Sequence, residues 1–474
     1  MPIIQTMLGG ASGKYWVLDI AGDTVNSIVT DMFAPGGLAL DSSDNIYFIS
    51  DTREESGTPN VSFHSILFKV DKNGQLQFQK KVGSSNSGIV RIQTSSNGRA
   101  LGIDSDGYLY GSFRTAPTQS LGNNDEDSYI VMFDTDGNAD TGVAADINYR
   151  VYGCDVAVRS DDYVYHFIDN SEFSGAGNEP YLIFHTSRTH QSNALAIGDQ
   201  IRLNDYNWNI NEGLVVDSSD NAIVAGSYEF NPSNDDYYIY VQKFSGSVSP
   251  FNLSRVWDKH IYSTESGKIT DFHFVYSLAT DSSDNIYIIG TVSFDLTGRK
   301  AAFIKLNSSG VIQWARQIDN TVTGGEYMVW QSAVVNSNGD LYACSGGGSS
   351  GLALLKYNSS GTLQWVRSID TVDVSDDLTS PKIKLDSNED LIIGAERDDL
   401  NNDDHTIIIK MPSDGSLNGT YGNFTFTNIT SWTDEVCNVA IANSPLTTSN
   451  VGPTTSYKTP TTTNSNYATS ITLI

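Results

Sequence analysis

The chain has 474 residues, 39% of them hydrophobic, and a formal net charge of −28 at pH 7. Such acidity disfavours negatively charged partners, so neither nucleic acids nor anionic membranes are expected to bind. The three cysteines, Cys154, Cys344 and Cys437, are far apart and form no Cys-x-x-Cys pair, so we expect neither a disulfide framework nor a thiolate zinc site.

The N-terminal residues 1–14, MPIIQTMLGGASGK, contain no basic leader followed by a long apolar run. A signal peptide is therefore not predicted. No segment reaches the ~20 consecutive apolar residues that a membrane-spanning helix needs. We expect a soluble protein that does not use the ordinary export route, with residues 1–14 forming a Gly/Ser-containing arm.

A hairpin pattern first appears at residues 38–50, LALDSSDNIYFIS, and recurs along the chain. Apolar residues precede a cluster of Asp, Ser and Asn, and β-branched or aromatic residues follow it, which predicts strand, turn and strand. Seven copies occur, spaced by 50 to 64 residues, and their first turn positions are Asp41, Asp104, Arg159, Asp217, Asp281, Asn336 and Asp386. A period of this length indicates a repeat array or a propeller.

A second hairpin follows most copies and is clearest in residues 302–318, AFIKLNSSGVIQWARQI, and 354–369, LLKYNSSGTLQWVRSI. It is typical of two strands joined by an Asn/Asp-x-x-Gly turn, whose glycine suits a positive φ. Two hairpins make four strands per repeat. The sequence therefore predicts an all-β protein, a seven-bladed β-propeller of four-stranded blades over residues 15–430.

Two segments compete to complete the last blade. Residues 15–20 are strand-like, and Trp16 aligns with Trp314 and Trp365 of the later fourth strands, so this segment would close the ring without leaving an edge. Residues 423–429, NFTFTNI, fit the same position, and the sequence does not choose between them. The Thr/Ser/Asn-rich residues 431–474 are predicted to be a C-terminal tail, either disordered or ordered on a partner subunit.

The repeats LATDSSDNIYIIGTVS and AAFIKLNSSGVIQWARQI resemble the SBBP-type β-propeller repeat, a relative of the NHL-type repeat, over most of the chain. The resemblance implies a propeller and a place among virion proteins of phages or bacterial surface proteins. From it we expect a non-catalytic phage virion structural protein, a tail fibre or spike, assembled in the host cytoplasm. The propeller would bind a host-surface glycan or protein or other virion proteins, and homo-oligomers would form through the terminal segments. The alternative is a bacterial surface or secreted propeller adhesin exported by a non-standard route.

The oxygen-rich turns have two interpretations. Calcium binds through about six to eight oxygen atoms, but recurrence in every repeat favours a role in holding the turn, since Asp and Ser side chains bond to nearby backbone amides. The better metal candidate has oxygen-bearing side chains at alternate positions, namely Asp134, Asp136, Asn138 and Asp140. Its glycine is misplaced for a helix-flanked calcium loop and no Glu stands at the twelfth position, so a turn remains the favoured interpretation.

Enzymatic chemistry has one lead. The chain lacks the HExxH motif. A divergent blade contains FHTSRTHQ, with His185, Arg188 and His190, which makes a polysaccharide lyase-like propeller the third hypothesis. No catalytic residue is assigned. Ligand-binding residues are unknown, and the aromatic residues outside the repeat pattern that would suit stacking on a ligand are Tyr206, Trp208, Tyr237 and Tyr238.

Overall fold

Every regular element in the described part of the chain is a β-strand. The computed structural model describes residues 2–7, 14–21, 29–55, 61–84, 101–115, 127–146, 151–170, 181–185, 197–203, 213–231, 236–264, 271–293, 299–319, 329–346, 351–373, 376–398, 404–443, 454–457, 460–464 and 470–473. These strands form seven four-stranded antiparallel blades, which confirms the predicted seven-bladed propeller. Blades 4 and 5 are further joined by one parallel pair, Tyr237 with Asp271.

The blades follow one another along the chain, and the four strands of each are named from the first to the fourth. Blade 1 comprises Val29–Leu40, Ile46–Glu55, Val61–Val70 and Leu76–Ser84; blade 2 comprises Leu101–Ile103, Leu109–Thr115, Asp127–Phe133 and Ala139–Asp146; blade 3 comprises Val151–Val158, Val164–Asn170, Tyr181–His185 and Ile197–Arg202. Blade 4 comprises Gly213–Val216, Ala222–Asn231, Asp236–Val248 and Phe251–Ser263; blade 5 comprises Asp271–Thr280, Ile286–Ser293, Arg299–Leu306 and Ile312–Asp319. Blade 6 comprises Val329–Val335, Leu341–Gly346, Leu352–Tyr357 and Leu363–Thr371; blade 7 comprises Asp377–Leu385, Leu391–Asp398, Asp404–Met411 and Trp16–Ala21.

The first strands of the blades form the inner ring of the propeller. Each lies against the first strand of the next blade, and that of blade 7 lies against that of blade 1. Side chains bridge these neighbours: the Asp155 carboxylate accepts the N–H of Leu214 at 2.8 Å, and the Ser332 hydroxyl accepts the N–H of Ile383 at 3.2 Å. Such bonds satisfy buried backbone donors between sheets that are not themselves paired.

The hydrophobic core lies between adjacent blades, because every blade is apolar on both faces. Between blades 5 and 6, for example, Phe303 packs edge-on against Trp330 at a centroid distance of 5.3 Å and also contacts Tyr357. All three side chains are fully buried. The alternation of inward-pointing residues along each strand therefore serves two interfaces at once.

The N-terminal strand completes blade 7. Trp16–Ala21 pairs antiparallel with Asp404–Met411, whereas the rival segment Phe424–Asn428 pairs with Leu363–Thr371 and extends blade 6. The last blade is thus built from one N-terminal strand and three strands from late in the chain. Because they pair with each other, neither the N-terminal strand nor the third strand of blade 7 is left as an unpaired edge there.

A cluster of four charged or titratable side chains holds this N-terminal strand in place. The carboxylate of Asp19 accepts hydrogen bonds from Arg397 and from Nδ1 of His405, the latter at 2.7 Å. Arg397 also lies 3.4 Å from Asp376, just before the first strand of the blade. Asp19, Arg397 and His405 are buried. The cluster ties all four strands of blade 7 together, with three of them supplied by the C-terminal half of the chain.

Strands after blade 7 pass around the outside of the ring in reverse blade order. Phe424–Asn428 extends blade 6 with Gly419–Tyr421 beside it; Thr433–Val436 extends blade 5; Val439–Asn443 extends blade 4; Thr454–Tyr457 extends blade 2; and Pro460–Asn464 extends blade 1. Finally, Ser470–Leu473 pairs in parallel with Pro2–Met7, which itself lies outside Trp16–Ala21. We call these strands, from Phe424 to Leu473, the belt. The boundaries predicted for arm, propeller and tail stay predictions; the described strands within the arm and the tail add to blade edges.

The two faces of the ring differ in their connections. In an antiparallel meander, the turns after the first and third strands lie at one end of every blade, which we call the turn face, and the other connections lie at the opposite end, the loop face. The segments between second and third strands at the loop face lie outside the described residues; they are 56–60, 116–126, 171–180, 232–235, 294–298, 347–350 and 399–403.

Candidate functional site

The first turn of each blade is built around its first residue. In blade 1, Oδ1 of Asp41 accepts the N–H groups of Ser43 and Asn45, both at 2.9 Å. Its Oδ2 accepts the side-chain amide of Asn45 at 2.8 Å and the hydroxyl of Tyr47 at 3.2 Å. Burial acts to raise the pKa of Asp41, but these hydrogen bonds outweigh it and hold the pKa below its usual value. Both carboxylate oxygens serve the turn, which favours the turn interpretation over calcium.

The fourth turn residue reaches the neighbouring blade. Asp44 has a positive φ of 61°, and its two carboxylate oxygens accept the N–H and the hydroxyl of Ser387 in blade 7 at 2.8 and 2.6 Å. We call this serine–carboxylate contact a latch. The same latch joins Ser105 to Asp162, Ser160 to Asp220, Ser218 to Asp284 and Ser337 to Glu389. At the other two junctions the corresponding residues are Gly107 and Gly339.

A lysine on the third strand neutralises several of the buried first-turn carboxylates. Lys243 lies 2.5 Å from Asp217, and Lys410 lies 2.7 Å from Asp386, with all four side chains largely buried. The lysine of third-strand segments such as FIKLN therefore pairs with the first-turn carboxylate of its own blade. Such a pair is retained because removing one partner would leave a buried charge without compensation.

Blade 3 inverts this pattern. Its first turn residue is Arg159 instead of Asp, and the third-strand position that carries Lys in five of the blades is Phe184. The Arg159 guanidinium lies 5.1 Å from the Phe184 ring centroid, donates to the carbonyl of Gly246 in blade 4 at 2.8 Å and pairs with Asp161 at 2.8 Å. The departure from the repeat at Arg159 thus makes an inter-blade contact, and its donors are engaged within the protein.

The second turns are packing sites for the aromatic residues of the preceding blade. Gly361 has a φ of 77° and lies against the ring of Trp314, whose Nε1 donates to the carbonyl of Ser359 at 3.1 Å. Trp16 likewise donates to the carbonyl of Lys72 at 3.3 Å. The glycine serves both the positive φ and the close approach of the indole. These Trp residues pack between blades.

The candidate calcium residues form one of these second turns. Oδ1 of Asp134 accepts the N–H groups of Asp136 and Asn138 at 3.0 and 2.7 Å, and its Oδ2 accepts the Asn138 amide at 2.9 Å. Asp136 and Asp140 are exposed. In the part of the chain that the structure describes, no three His, Cys, Asp or Glu side chains are grouped so that they could hold a metal ion. Calcium binding by Asp134, Asp136, Asn138 and Asp140 stays a prediction.

His185, the described histidine of the lyase-like hypothesis, is buried inside the ring. His185 and His166 are each 1% exposed, with ring centroids 5.6 Å apart, and Nε2 of His166 contacts the hydroxyls of Ser112 and Ser128 at 2.9 and 3.1 Å. Burial lowers the pKa of both imidazoles, to about 3 for His185. At this depth His185 does not meet a polysaccharide from solution. Arg188 and His190 lie outside the described residues.

An aromatic row crosses blade 4 toward the loop face. Tyr238 stands opposite Tyr228 in register, with ring centroids 6.1 Å apart, and it packs against Tyr262 and His260 at 5.6 and 5.5 Å. Tyr228 is buried, whereas the other three rings are half-buried, and Ala440 of the belt stands opposite Tyr262 in register. Aromatic residues with a polar tip suit contacts to sugars or proteins. This row is the candidate contact surface within the described residues; Tyr206 and Trp208 lie outside them.

No protein-family model matches the sequence, and no curated protein sequence matches it. The resemblance to the SBBP-type repeat therefore stays an expectation. The described residues also contain no helix that could cross a membrane.

Solved structures are similar in fold. A protein of unknown function from Dyadobacter fermentans is 11% identical, with 83% of this chain and 97% of that chain covered and a TM-score of 0.43. The polysaccharide lyase Uly1 is 8% identical, with 80% and 90% covered and a TM-score of 0.47. An intramolecular trans-sialidase from Ruminococcus gnavus is 9% identical, with 81% and 94% covered and a TM-score of 0.39. Likeness at this level concerns the fold and says nothing about activity.

Proposed function

We propose that the protein is a non-catalytic structural component of a phage virion, a tail fibre-like or spike-like protein. Its propeller would present the loop face to a host-surface glycan or protein, or to another virion protein.

The observation that carries this proposal is the contrast between the two faces. The described first turns are uniform five-residue turns, such as 41–45 and 281–285, and their polar groups are engaged in holding turns and joining blades. The segments between second and third strands differ in length, from four residues at 232–235 to eleven at 116–126. A rigid scaffold that carries variable loops is the usual arrangement for recognition, since loops change without disturbing the core.

Several described side chains that first suggested chemistry hold the fold together or are buried in the core. Asp41 and Asp134 hold turns, Arg159 joins blade 3 to blade 4, and His185 is buried in the core. These contacts support a scaffold role for the described part of the propeller, and they leave recognition to the loop face and the aromatic row beside it.

Mass spectrometry of purified particles tests the virion assignment. The protein should be found in particles released from cells that carry the gene, at a stoichiometry comparable to other tail components. Its absence from such particles would contradict the proposal. A bacterial surface adhesin would use the same scaffold, so secretion genes beside this gene, in place of tail and capsid genes, would favour that alternative.

Binding to host cells tests the loop face directly. Labelled protein carrying Tyr262→Ala should bind fewer cells than the unmodified protein, because the aromatic row loses its outermost ring. The matched control is Val256→Ala on the same strand, a residue that is 53% exposed and lies farther from the loop face. If both variants lose binding equally, or neither loses binding, the aromatic row is not part of the contact surface.

A further inference from the structure

The belt has two parts that differ in how they are held. In the first part, up to Asn443, side chains enter the core: Phe424 and Phe426 are each 1% exposed and Cys437 is 3% exposed. The strands of the second part are TTSY, PTTTN and SITL. Most of their residues carry hydroxyl groups. We therefore expect backbone hydrogen bonds to the blade edges to contribute most of what holds these strands.

A strand held through its backbone fits any edge with the same geometry. Pro460–Asn464 pairs with the outer strand of blade 1, from Lys80 to Ser84, and Thr454–Tyr457 pairs with blade 2, from Val143 to Asp146. Main-chain pairing of this kind is the basis of strand addition between proteins. Every copy of the chain carries the same edges and the same added strands, so each register formed within a copy is equally available between two copies.

Charge also favours exchange through this segment. All acidic residues of the chain lie before residue 444, and residues 444–474 contain a single charged residue, Lys458. Two propellers with a formal net charge of −28 repel each other. A segment without acidic residues approaches the edge of another copy without adding to that repulsion.

The connection is long enough. Ten residues, 444–453, separate Val439–Asn443 on blade 4 from Thr454–Tyr457 on blade 2. An extended chain spans about 3.3–3.6 Å per residue, so ten residues reach roughly 33–36 Å. This is comparable to the width of a small domain and permits the second part of the belt to reach a neighbouring copy while the first part stays in its own core.

We propose that residues 454–473 are exchanged between copies of the chain, so that the outer edges of blades 1, 2 and 7 in one copy accept the belt strands of another. The inference goes beyond the proposed virion role and rests on the strand pairing alone. It identifies those edges as an interaction surface, and a second copy of this chain as the partner.

Cross-linking between two chains that each carry one introduced cysteine tests the exchange, with Cys344 and Cys437 left in place because they are buried. In a Cys154→Ser background, one chain carries Lys81→Cys and the other carries Thr463→Cys, two positions that face each other in the register. The chains carry different mass tags, are mixed and co-refolded, and are then treated with a short bismaleimide. A covalent heterodimer is expected.

Two controls make the result decisive. A chain with both substitutions should link position 81 to position 463 whether the strand pairs within one copy or between two, which verifies the register. A chain with Asn73→Cys, in an exposed turn away from the belt, should yield at least tenfold less heterodimer with the Thr463→Cys chain. An intramolecular link in the double variant, without heterodimer between the single variants, would overturn the exchange, and failure of both links would overturn the pairing itself.

Discussion

Ser387 in blade 7 donates its backbone N–H and its hydroxyl to the two carboxylate oxygens of Asp44 in blade 1, at 2.8 and 2.6 Å. The two residues are 343 positions apart in the sequence. This contact closes the ring on its turn face, and four further latches of the same kind join other neighbouring blades.

The Asp44–Ser387 latch should show a measurable coupling energy. Hydrogen bonds to charged groups contribute about 1.5–3 kcal/mol, but Ser387 is exposed and its backbone N–H remains in Ser387→Ala. A double-mutant cycle with Asp44→Gly and Ser387→Ala in urea unfolding should therefore give about 1 kcal/mol. The control is Ser42→Ala. Ser42 is the blade 1 counterpart of Ser387, but blade 2 has Gly107 where the latch needs a carboxylate, so Ser42 forms no latch. If the two serine substitutions lower the free energy of unfolding equally, the latch is contradicted.

Gly361→Ala should destabilise the protein more than Gly419→Ala. Both glycines have positive φ, but a Cβ on Gly361 would lie 2.7 Å from the Trp314 ring, whereas a Cβ on Gly419 would meet nothing within 4 Å. Backbone strain is common to both variants, and the steric clash adds about 1–3 kcal/mol for Gly361 alone. Thermal unfolding of the two variants compares them, and equal shifts would mean that the indole moves aside freely.

Lys243→Met should cost about 3 kcal/mol of unfolding free energy at neutral pH, because it leaves the buried Asp217 carboxylate without its cation. Hydrogen bonds and the Lys243 charge together outweigh burial and hold the pKa of Asp217 below its usual 3.8. A depressed pKa stabilises the fold above 3.8, and that contribution is lost as the pH falls through the depressed value. The cost of Lys243→Met should thus shrink in acid.

Urea unfolding at neutral and acidic pH measures this difference. Lys356→Met is the matched control, because Lys356 pairs with Asp340 at 2.8 Å in a more exposed setting, and its loss should cost about 1 kcal/mol or less. A cost of Lys243→Met that is the same at both pH values would contradict the assignment.

Asp104 should show the opposite pH dependence. Blade 2 carries Met132 at the third-strand position where five of the other blades carry lysine. Burial raises the pKa of Asp104 above 3.8, and hydrogen bonds from Tyr108 and Tyr110 offset only part of that effect. The protonated form is favoured in the fold, so this contribution is present below 3.8 and is lost as the pH rises through the raised pKa.

Asp104→Asn should therefore gain stability relative to the unmodified protein as the pH rises, by about 0.5 kcal/mol at neutral pH. Asparagine is compatible with the turn, since Asn336 in blade 6 accepts the same two backbone N–H groups at 3.1 and 2.8 Å. Chemical denaturation across this pH range provides the measurement. A loss of stability that grows with pH would show that the carboxylate is favourable there.

Asp19→Asn should cost about 3 kcal/mol, because it removes the negative charge that the buried Arg397 and His405 contact. The matched control is Asp377→Asn in the same blade. Asp377 stands directly opposite Asp398 in register, and removing one of two opposed like charges should be neutral or stabilising. Calorimetry that finds equal effects for the two substitutions would show that Asp19 does not hold the N-terminal strand.

The sequence predicts the contacts that lie within one hairpin. The Asp41 turn and the positive φ of Gly361 follow from short patterns, because the bonded atoms are a few residues apart. The latch between Ser387 and Asp44 joins different repeats, so no local pattern contains it. Its signal was present in the repeats, where an acid stands at the fourth turn position of five of the seven turns and glycine at the other two.

Closure of the ring could not be decided from strand propensity. Residues 15–20 are almost wholly apolar and residues 423–429 alternate apolar and polar positions, but both are strand-like and both contain aromatic residues. What distinguishes them is the fit of Asp19 to Arg397 and His405, which depends on how distant strands are brought together. The belt was hidden for a related reason, since edge pairing uses backbone groups that every sequence supplies.

The Trp16–Ala21 strand, paired with Asp404–Met411, also sets the order of events during biosynthesis. The ribosome makes the fourth strand of blade 7 before any other part of that blade, and its partner emerges nearly 400 residues later. At roughly 5–20 residues per second, the first strand waits on the order of tens of seconds for its place. A polypeptide released early, by a nonsense codon anywhere before residue 404, would retain an aggregation-prone apolar strand and lack the sheet that covers it.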